Sequence, residues 1–163
     1  MSGIEMLGKI LTTATLPEAL SARRARKERI VFTNGCFDLL HVGHTRYLQE
    51  ARALGDCLIV GLNSDASVQA IKPTGRPIVP QAQRAEVLAA LACVDHVVIF
   101  DEPDPRNLIA AVQPDVLVKG GDWPIAQIVG REIVQARGGK VVTIPLVPDV
   151  STTTLVQRIK SSP

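Results

Sequence analysis

The sequence predicts an α/β fold in which helices cover both faces of a parallel β-sheet. Five short apolar runs recur along the chain, and none of them alternates polar with apolar residues. Such runs are typical of strands buried on both faces. Helical stretches bounded by proline and glycine separate them, and this alternation is the pattern of doubly wound domains. At 163 residues the chain fits a single Rossmann-like domain with a five-stranded parallel sheet.

The first predicted helix lies outside the repeating pattern. Thr15, Pro17 and Glu18 match a capping box with proline near the first helical position, so a helix begins there. It ends in a basic cluster, which is either a solvated C-terminus suited to the helix dipole or an attractor of phosphorylated substrates. The basic cluster consists of Arg23, Arg24, Arg26 and Lys27. We take residues 1–28 as an N-terminal helical extension of the domain formed by residues 29–163.

From residue 30 onward, strands and helices alternate regularly. Each strand is rich in Val, Ile, Leu or Phe, and the helices are bounded by glycine, proline or a capping serine. The predicted strands are residues 30–32, 57–62, 97–100, 116–118 and 141–144. The predicted helices are residues 43–54, 65–71, 81–92, 104–114, 125–137 and 151–160.

The segment of residues 72–80 is the one irregular connection, because three prolines and a glycine exclude a helix. A loop of this length between two helices is either a lid over a substrate or a plain connector. Its Lys72 and Arg76 are surface charges by default, but they favour a role with anionic ligands.

Composition argues against several classes of protein. A net charge of +2 and an aromatic fraction of 3% give no basis for a dedicated nucleic-acid binder. Three cysteines without a C-x-x-C pair indicate reduced thiols, and neither a disulfide framework nor a zinc site. No apolar run approaches the roughly 20 residues of a membrane helix, and none resembles a secretory signal. We therefore expect a cytoplasmic domain that binds neither membranes nor nucleic acids.

The most informative positions are His41, Gly43 and His44, which place two of the three histidines one helical turn apart after a strand. A helix start presents unpaired N–H groups and the positive end of a dipole, which is where phosphate binds. Imidazoles at that place can donate hydrogen bonds to a polyphosphate as its charge shifts. Gly43 would let the backbone approach a ligand closely. The third histidine, His96, is expected to be structural.

Polar, glycine-bearing segments follow several of the predicted strands. In an open parallel sheet, ligands bind beyond the carboxyl ends of the strands where the strand order reverses. If the first and fourth strands are neighbours, the histidine segment and the loop of residues 119–122 flank a single crevice. Trp123 is expected to pack there as a shield. The hydroxyls of residues 151–154 either cap the last helix or also bind phosphate.

Two consecutive motifs, T-N-G-C-F-D at residues 33–38 and H-V-G-H at residues 41–44, resemble the nucleotidyltransferase superfamily that carries H-x-G-H. The likeness spans nearly all of residues 29–160. K-G-G-D at residues 119–122 resembles the heptose 1-phosphate adenylyltransferase branch, whereas glycerol-phosphate cytidylyltransferases carry Gly-Asp-Asp at that place. N-S-D at residues 63–65 and S-T-T at residues 151–153 favour the same branch.

This resemblance implies transfer of AMP from ATP to D-glycero-β-D-manno-heptose 1-phosphate, which gives ADP-heptose for lipopolysaccharide and releases pyrophosphate. It implies catalytic roles for His41 and His44 on the triphosphate and for Lys72 on the incoming phosphate. Arg84 would steady the β- and γ-phosphates, with a surface pair to a nearby acid as the alternative. The residues implied in ATP binding are Gly35, Cys36, Phe37, Arg84, Lys119, Gly120, Gly121, Asp122, Ser151, Thr152 and Thr153. The residues implied in acceptor binding are Asn34, Asp38, Asn63, Asp65 and Lys72.

Mg²⁺ is expected to bridge the phosphates, so no residue is assigned as a metal ligand. The resemblance also implies a homodimer and, because it is to the stand-alone form of the enzyme, a separate heptose kinase as functional partner. Two other functions stay open. One is transfer of CMP to a polyol phosphate such as glycerol 3-phosphate. The other is a nucleotide-binding module without catalysis, although such loss usually removes the histidines or the loop lysine that this sequence retains.

Overall fold

A computed structural model describes residues 8–121 and 123–162 of the protein. The strands are β1 (Ile10–Leu11), β2 (Ile30–Gly35), β3 (Cys57–Asn63), β4 (His96–Phe100), β5 (Val116–Gly120) and β6 (Lys140–Ile144). The helices are α1 (Leu16–Ala25), α2 (Val42–Arg52), α3 (Asp65–Ile71), α4 (Gln81–Ala89), α5 (Arg106–Val112), α6 (Arg131–Ala136) and α7 (Thr152–Ser161), with a 3₁₀ turn at Ile125–Gln127. None of these helices is long and apolar enough to cross a membrane.

All strands run parallel in one sheet, in the order β1-β4-β3-β2-β5-β6. Helices cover both of its faces, as strands that are apolar on both sides require. Leu48 of α2 and Leu88 of α4 pack against one face, whereas Leu16 of α1 and Ile109 of α5 pack against the other. The predicted Rossmann-like, doubly wound α/β domain is confirmed.

The expected neighbours at the centre of the sheet are also found. β2 lies between β3 and β5, and Phe32 of β2 pairs with Leu117 of β5. From β2 the chain passes through α2 to β3 on one side, whereas β5 and β6 extend the sheet on the other. This is the reversal of strand order beyond which a binding crevice forms at the carboxyl ends of the strands.

The sheet has one strand more than the five predicted. Ile10 and Leu11 of β1 pair with Val97 and Val98 of β4. This strand is two residues long and half-buried at the sheet edge. So short a strand has no apolar run from which it could be recognised in the sequence.

The predicted helix over residues 125–137 is wrong. Ile128 has an extended backbone and Gly130 has a φ of 82°, so the segment divides into the 3₁₀ turn and α6. A Cβ at Gly130 would lie 2.6 Å from Cδ1 of Ile109, so this left-handed turn needs glycine. The break places Ile128 in the core on the α1 and α5 face.

Helix capping agrees with the sequence at one end of the chain and differs at the other. Thr15 precedes α1, but its side chain does not cap the helix and instead accepts the Thr12 N–H at 3.0 Å. The predicted capping box is therefore wrong. Ser151 caps α7 as predicted, since its Oγ accepts the Thr154 N–H at 3.0 Å.

The basic end of α1 is engaged by the protein itself. Arg23 and Arg26 both pair with Glu28, at 2.7 and 2.6 Å. Arg24 donates to the Val112 carbonyl at 2.7 Å. These contacts favour a structural role for the cluster over attraction of phosphorylated substrates.

Candidate functional site

The histidine motif lies where β2 leads into α2, at the carboxyl edge of the sheet. His41 is the N-cap residue of α2 and His44 lies in its first turn. Their imidazole rings stack with centroids 3.9 Å apart and planes 24° apart. Phe37 has a φ of 44°, which is unusual for a bulky residue, and its ring centroid lies 5.3 Å from that of His44. A strained turn thus holds both imidazoles against a helix start, the kind of place where strain accompanies function.

The tautomer of the two rings follows from their burial. The Nδ1 atoms of His41 and His44 are buried and make no hydrogen bond within the described residues. A buried N–H without an acceptor is rarer in proteins than a buried acceptor without a donor. The tautomer with its proton on Nε2 is therefore favoured in both rings. Each ring keeps an Nε2–H that can donate to a phosphate oxygen.

Burial also keeps the imidazoles uncharged. Desolvation lowers the pKa of His41 below its ordinary value. Desolvation, and then the charge of His41, lower the pKa of His44 to about 4. Both rings are therefore neutral hydrogen-bond donors near pH 7.

The lowered pKa of His44 should make stability depend on pH. An unfolded histidine titrates near pH 6.5, so the unfolded chain takes up this proton before the folded protein does. The free energy of unfolding should therefore fall as the pH drops from about 6.5 towards about 4. Urea unfolding of the wild type and of His44→Gln across this range measures the effect. The wild type should lose more stability than the variant, and equal losses would contradict a half-buried, neutral His44.

Gly43 makes room for the histidine pair. A Cβ at this position would lie 2.9 Å from Nδ1 and 3.0 Å from Cε1 of His41. The sequence predicts that this glycine lets the backbone approach a ligand. The structure places the ring of His41 in that space instead, so the glycine permits the imidazole stack.

Gly43→Ala should therefore lower activity without lowering stability. The new methyl group would displace the His41 ring, whereas alanine is about 0.5–1 kcal/mol more favourable than glycine inside a helix. We expect nucleotidyl transfer to fall roughly 10²-fold, the effect of misplacing a group by about 1 Å. Thermal unfolding should be unchanged or occur at higher temperature. Gln49→Ala on the exposed side of α2 is the matched control, and normal turnover by Gly43→Ala would contradict this account.

Asp38 is buried and holds the loop of residues 72–80. Its carboxylate accepts the N–H groups of Ile78 and Val79 at 2.9 Å and Nε–H of Arg76 at 2.5 Å. Burial alone would raise the pKa of this carboxyl, but these donors hold the pKa below its ordinary value. The carboxylate thus binds the loop in this structure, and its contact with sugar hydroxyls stays a prediction.

Arg84 has a fully buried side chain whose nitrogens all bind protein. Nε donates to the Val79 carbonyl at 2.8 Å, and Nη1 donates to the carbonyls of Cys36 and Asn63 at 2.6 and 2.9 Å. Nη2 donates to Oδ1 of Asp65 at 2.7 Å. The predicted contact with the β- and γ-phosphates has no support in this geometry. The alternative, a pair with a nearby acid, is found: the Arg84 side chain is fully buried, whereas that of Asp65 is partly exposed.

The two polar residues at the end of β3 differ in accessibility. Asn63 is 3% exposed, and its Nδ2 donates to Oγ of Ser67 at 2.9 Å. Its amide therefore serves the start of α3, which argues against the predicted sugar contact. Asp65 has a side chain that is 35% exposed, although one of its oxygens binds Arg84. Of this pair, Asp65 is the residue that a ligand could reach.

The loop of residues 72–80 is anchored at one end and exposed at the other. Arg76 is held by Asp38, whereas Lys72 and Gly75 are exposed. The charge of Lys72 acts on the Cys36 thiol, whose pKa is nevertheless raised by burial. The hypothesis that this loop covers a substrate therefore concerns its exposed half, which carries Lys72.

A cavity of about 180 Å³ opens at the carboxyl ends of β2 and β5. Asn34, Lys119 and Gln127 supply its polar groups. Its apolar wall consists of Pro105, Leu117, Trp123, Ile128 and Val129. Burial, as the largest cause, lowers the pKa of the Lys119 ammonium. Trp123 is 53% exposed, so it forms an open wall of this cavity and not the packed shield that the sequence predicts.

The glycines at the end of β5 both lie beside the exposed side chain of Leu146. Gly120 ends the strand, and Gly121 donates its N–H to the Ile144 carbonyl at 2.8 Å. Leu146 and Trp123 are the nearest side chains around Gly121. Asp122 lies outside the described residues. Sequence reasoning missed Leu146 because an isolated leucine carries no motif, and its place just after a strand was the only signal.

The start of α7 borders the histidine pair. Thr152 donates through Oγ1 to the Leu39 carbonyl at 3.3 Å, and Thr153 is exposed. Cγ1 of Val150 would lie 3.7 Å from a Cβ at Gly43. The N-terminal ends of α2 and α7 are therefore neighbours, and the start of each helix carries backbone N–H groups without intrahelical partners.

Tyr47 fixes α2 to the two central strands. Its hydroxyl lies 2.5 Å from Oγ1 of Thr33 and donates to the Val118 carbonyl at 3.3 Å. Burial raises the pKa of Tyr47 to about 12, so the phenol keeps its proton. Sequence reasoning missed this contact because it is set by tertiary packing.

Residues 32–161 match the protein-family model described as cytidylyltransferase-like. The bifunctional protein HldE of Citrifermentans bemidjiense is 52% identical over 154 residues, which cover 94% of this chain and 32% of that protein. HldE of Nitrobacter hamburgensis is 58% identical over 147 residues, or 90% of this chain and 30% of that protein. The chain thus spans about a third of the length of these relatives. Their name gives them two functions in one chain, whereas the sequence predicts a separate kinase.

Two solved structures illustrate the likeness of fold. The lipopolysaccharide core biosynthesis protein from Thermoplasma volcanium is 27% identical with a TM-score of 0.59, covering 74% of this chain and 97% of that one. Pantothenate synthetase from Thermus thermophilus is 18% identical with a TM-score of 0.64, covering 94% of this chain and 70% of that one. The second likeness concerns the fold alone.

Proposed function

The chain belongs to the cytidylyltransferase-like family, and we propose that it transfers AMP from ATP to D-glycero-β-D-manno-heptose 1-phosphate. The products would be ADP-heptose, for lipopolysaccharide core synthesis, and pyrophosphate. The observation that carries the proposal is the stacked pair of neutral imidazoles at the start of α2. The K-G-G-D motif and the solved neighbour named for lipopolysaccharide core biosynthesis support the choice of a heptose acceptor.

The reaction needs positioning and charge stabilisation, and no covalent enzyme intermediate. A phosphate oxygen of the acceptor attacks the α-phosphorus of ATP and forms a new P–O bond. The bond from the α-phosphorus to the bridging oxygen breaks, and pyrophosphate leaves with the electron pair. The Nε2–H groups of His41 and His44 would donate to phosphate oxygens as negative charge moves towards the leaving group.

The other groups of the crevice would take complementary parts. Thr152 and Thr153, at the start of α7, would hold the β- and γ-phosphates together with the helix N–H groups. Lys72, on the exposed half of its loop, would bring positive charge to the acceptor phosphate. The glycines at the end of β5 would border the nucleoside, and Asp122 would accept hydrogen bonds from the ribose. Arg84 and Asp38 would act indirectly, by fixing the loops.

Mg²⁺ would enter with ATP and neutralise part of the phosphate charge. Among residues 8–121 and 123–162, no three His, Cys, Asp or Glu side chains come together as a metal site. We expect phosphate oxygens and water to hold most of its coordination sphere, which is how Mg²⁺ binds at many phosphoryl-transfer sites.

Pyrophosphate release by the purified protein tests the proposal. ATP or CTP would be paired with heptose 1-phosphate or glycerol 3-phosphate, and kcat/KM compared for the four pairs. ATP with heptose 1-phosphate should give the highest value. A higher value with CTP or glycerol 3-phosphate would indicate a polyol phosphate cytidylyltransferase instead. Nucleotide binding without pyrophosphate release from any pair would indicate a non-catalytic module.

The proposal extends to partners and location. A kinase must form the anomeric phosphate before this reaction, and the two functions of the HldE relatives support a coupling of such steps. We also propose that the protein acts as a homodimer in the cytoplasm, where ATP is supplied. Sedimentation velocity of the purified protein measures the oligomeric state.

A further inference from the structure

The cavity bordered by Asn34, Lys119 and Trp123 has a composition that suits a phosphorylated sugar better than a nucleoside. We propose that this cavity is the acceptor subsite and that Lys119, together with Lys72, binds the phosphate that attacks ATP. The inference rests on the proposed function and deepens it. The resemblance implies that Lys119 contacts ATP, whereas this inference assigns Lys119 to the acceptor.

The placement of the polar groups follows from the strand register. Phe32 pairs with Leu117 across β2 and β5, so Asn34 and Lys119, each two residues further along, lie side by side. Phe32 and Leu117 both belong to the core on the α1 and α5 face. Asn34 and Lys119 point to the same face, because side chains two residues apart share a face of a strand.

The histidines approach the same edge from the opposite face. Leu48 places α2, the helix that they begin, against the other side of the sheet. A sugar held in the cavity could therefore extend its phosphate over the carboxyl edge towards the imidazoles. The cavity and the histidine pair would bind the two reactants from opposite faces of one sheet.

Charge supports this division of the site. Lys119 lines the cavity, and burial and then the charge of Lys72 lower the pKa of its ammonium. The neighbouring Arg76 and Arg84 are already in ion pairs with aspartates. In the described part of the chain, neither lysine takes part in an ion pair. Two available positive charges match the dianion of a phosphate monoester.

Size and hydrogen bonding also favour a single sugar ring. A volume of about 180 Å³ is below the range of roughly 300–1,000 Å³ typical of pockets for drug-sized ligands. The amides of Asn34 and Gln127 can both donate to and accept from hydroxyl groups. Lys119 offers donors and a positive charge, which suit the oxygens of a phosphate dianion. The exposed indole of Trp123 gives an apolar face on which a sugar ring can pack.

Lys119→Met tests the assignment, because it keeps the length and apolar stem of the side chain and removes the charge. With heptose 1-phosphate and ATP as substrates, the KM for heptose 1-phosphate should rise about 10- to 100-fold, the factor for one charge-assisted hydrogen bond. The KM for ATP should stay close to the wild-type value. Lys140→Met, an exposed lysine at the start of β6, is the matched control and should change neither constant.

The opposite pattern would overturn the inference. A rise in the KM for ATP, with the KM for heptose 1-phosphate unchanged, would return Lys119 to the nucleotide. Unchanged constants, or a fall in kcat alone, would also contradict a contact with the acceptor. If Lys119→Met does not fold, Gln127→Ala at an exposed position supplies the same comparison. It should raise the KM for the acceptor, by a smaller factor.

Failure of the proposed function would give a different result. The wild type would then use another phosphate acceptor, such as glycerol 3-phosphate, more efficiently than heptose 1-phosphate. The comparison of KM values for that acceptor and for the nucleotide in Lys119→Met would still decide whether Lys119 binds the acceptor.

Discussion

His44→Ala is expected to lower kcat for AMP transfer by roughly 10²- to 10³-fold, the effect of removing one preorganised donor to a developing negative charge. The ring of His44 packs against those of His41 and Phe37, so the structure orients it before ATP binds. It is also uncharged near pH 7, because burial lowers its pKa to about 4. Its contribution should therefore come from a directed Nε2–H and not from a fixed positive charge. Steady-state pyrophosphate release with ATP and heptose 1-phosphate measures the loss.

Two further variants test whether the N–H donor of His44, and not its imidazole ring as such, is what catalysis requires. His44→Gln keeps an N–H donor without an imidazole and should retain more activity than His44→Ala. His96→Gln changes the remaining histidine, which begins β4 and approaches Nη2 of Arg23 at 3.4 Å. This control should turn over normally. Activity of His44→Ala within about threefold of the wild type, far short of the loss expected for a transition-state donor, would remove His44 from the mechanism.

Arg84→Met is expected to lower the free energy of unfolding by about 3–5 kcal/mol, because it leaves several buried or half-buried carbonyls, as well as the partly exposed Asp65, without their donor. Its guanidinium satisfies three buried or half-buried carbonyls as well as the carboxylate of Asp65. Methionine fills much of the volume but donates no hydrogen bond, so all four acceptors lose their partner. Urea denaturation followed by circular dichroism measures the difference.

The surface pair of Arg106 and Glu132 supplies the control for Arg84. Both of its side chains are about half exposed, and such pairs contribute at most about 1 kcal/mol. Arg106→Met should therefore leave the midpoint of unfolding nearly unchanged. Arg84→Lys should fall between the two, because one ammonium cannot reach acceptors arranged around a planar guanidinium. If Arg84→Met were as stable as Arg106→Met, the interior role of Arg84 would be wrong.

Much of the fold could be predicted because its strands are apolar on both faces. The apolar runs of β3 and β4 do not alternate polar with apolar residues, which identifies them as strands buried on both faces. The polar segments that follow the strands indicate which edge of the sheet carries the site. Two features could not be predicted. β1 has only two residues, and the break at Gly130 depends on its contact with Ile109, which is distant in the sequence.

In the candidate site, the partners of buried polar groups could not be predicted from the sequence either. The spacing of His41 and His44 determines where their rings lie, because a helix start positions them locally. Asp38 and Arg84 resemble ligand-binding residues in the sequence, since charged side chains are rarely buried. Their partners include backbone groups of the loop of residues 72–80, of the turn after β2 and of the end of β3. Such partners are known only once the chain has folded.

The most direct test observes the three histidines while ATP binds. Their imidazole ¹⁵N signals would be recorded as a non-hydrolysable ATP analogue with Mg²⁺ is added to the wild-type protein. The Nε2 signals of the stacked pair should shift with saturation, since these atoms would donate to the phosphates, whereas those of His96 should not move. If the analogue saturates the protein while the stacked pair stays unchanged, the triphosphate does not bind at the start of α2.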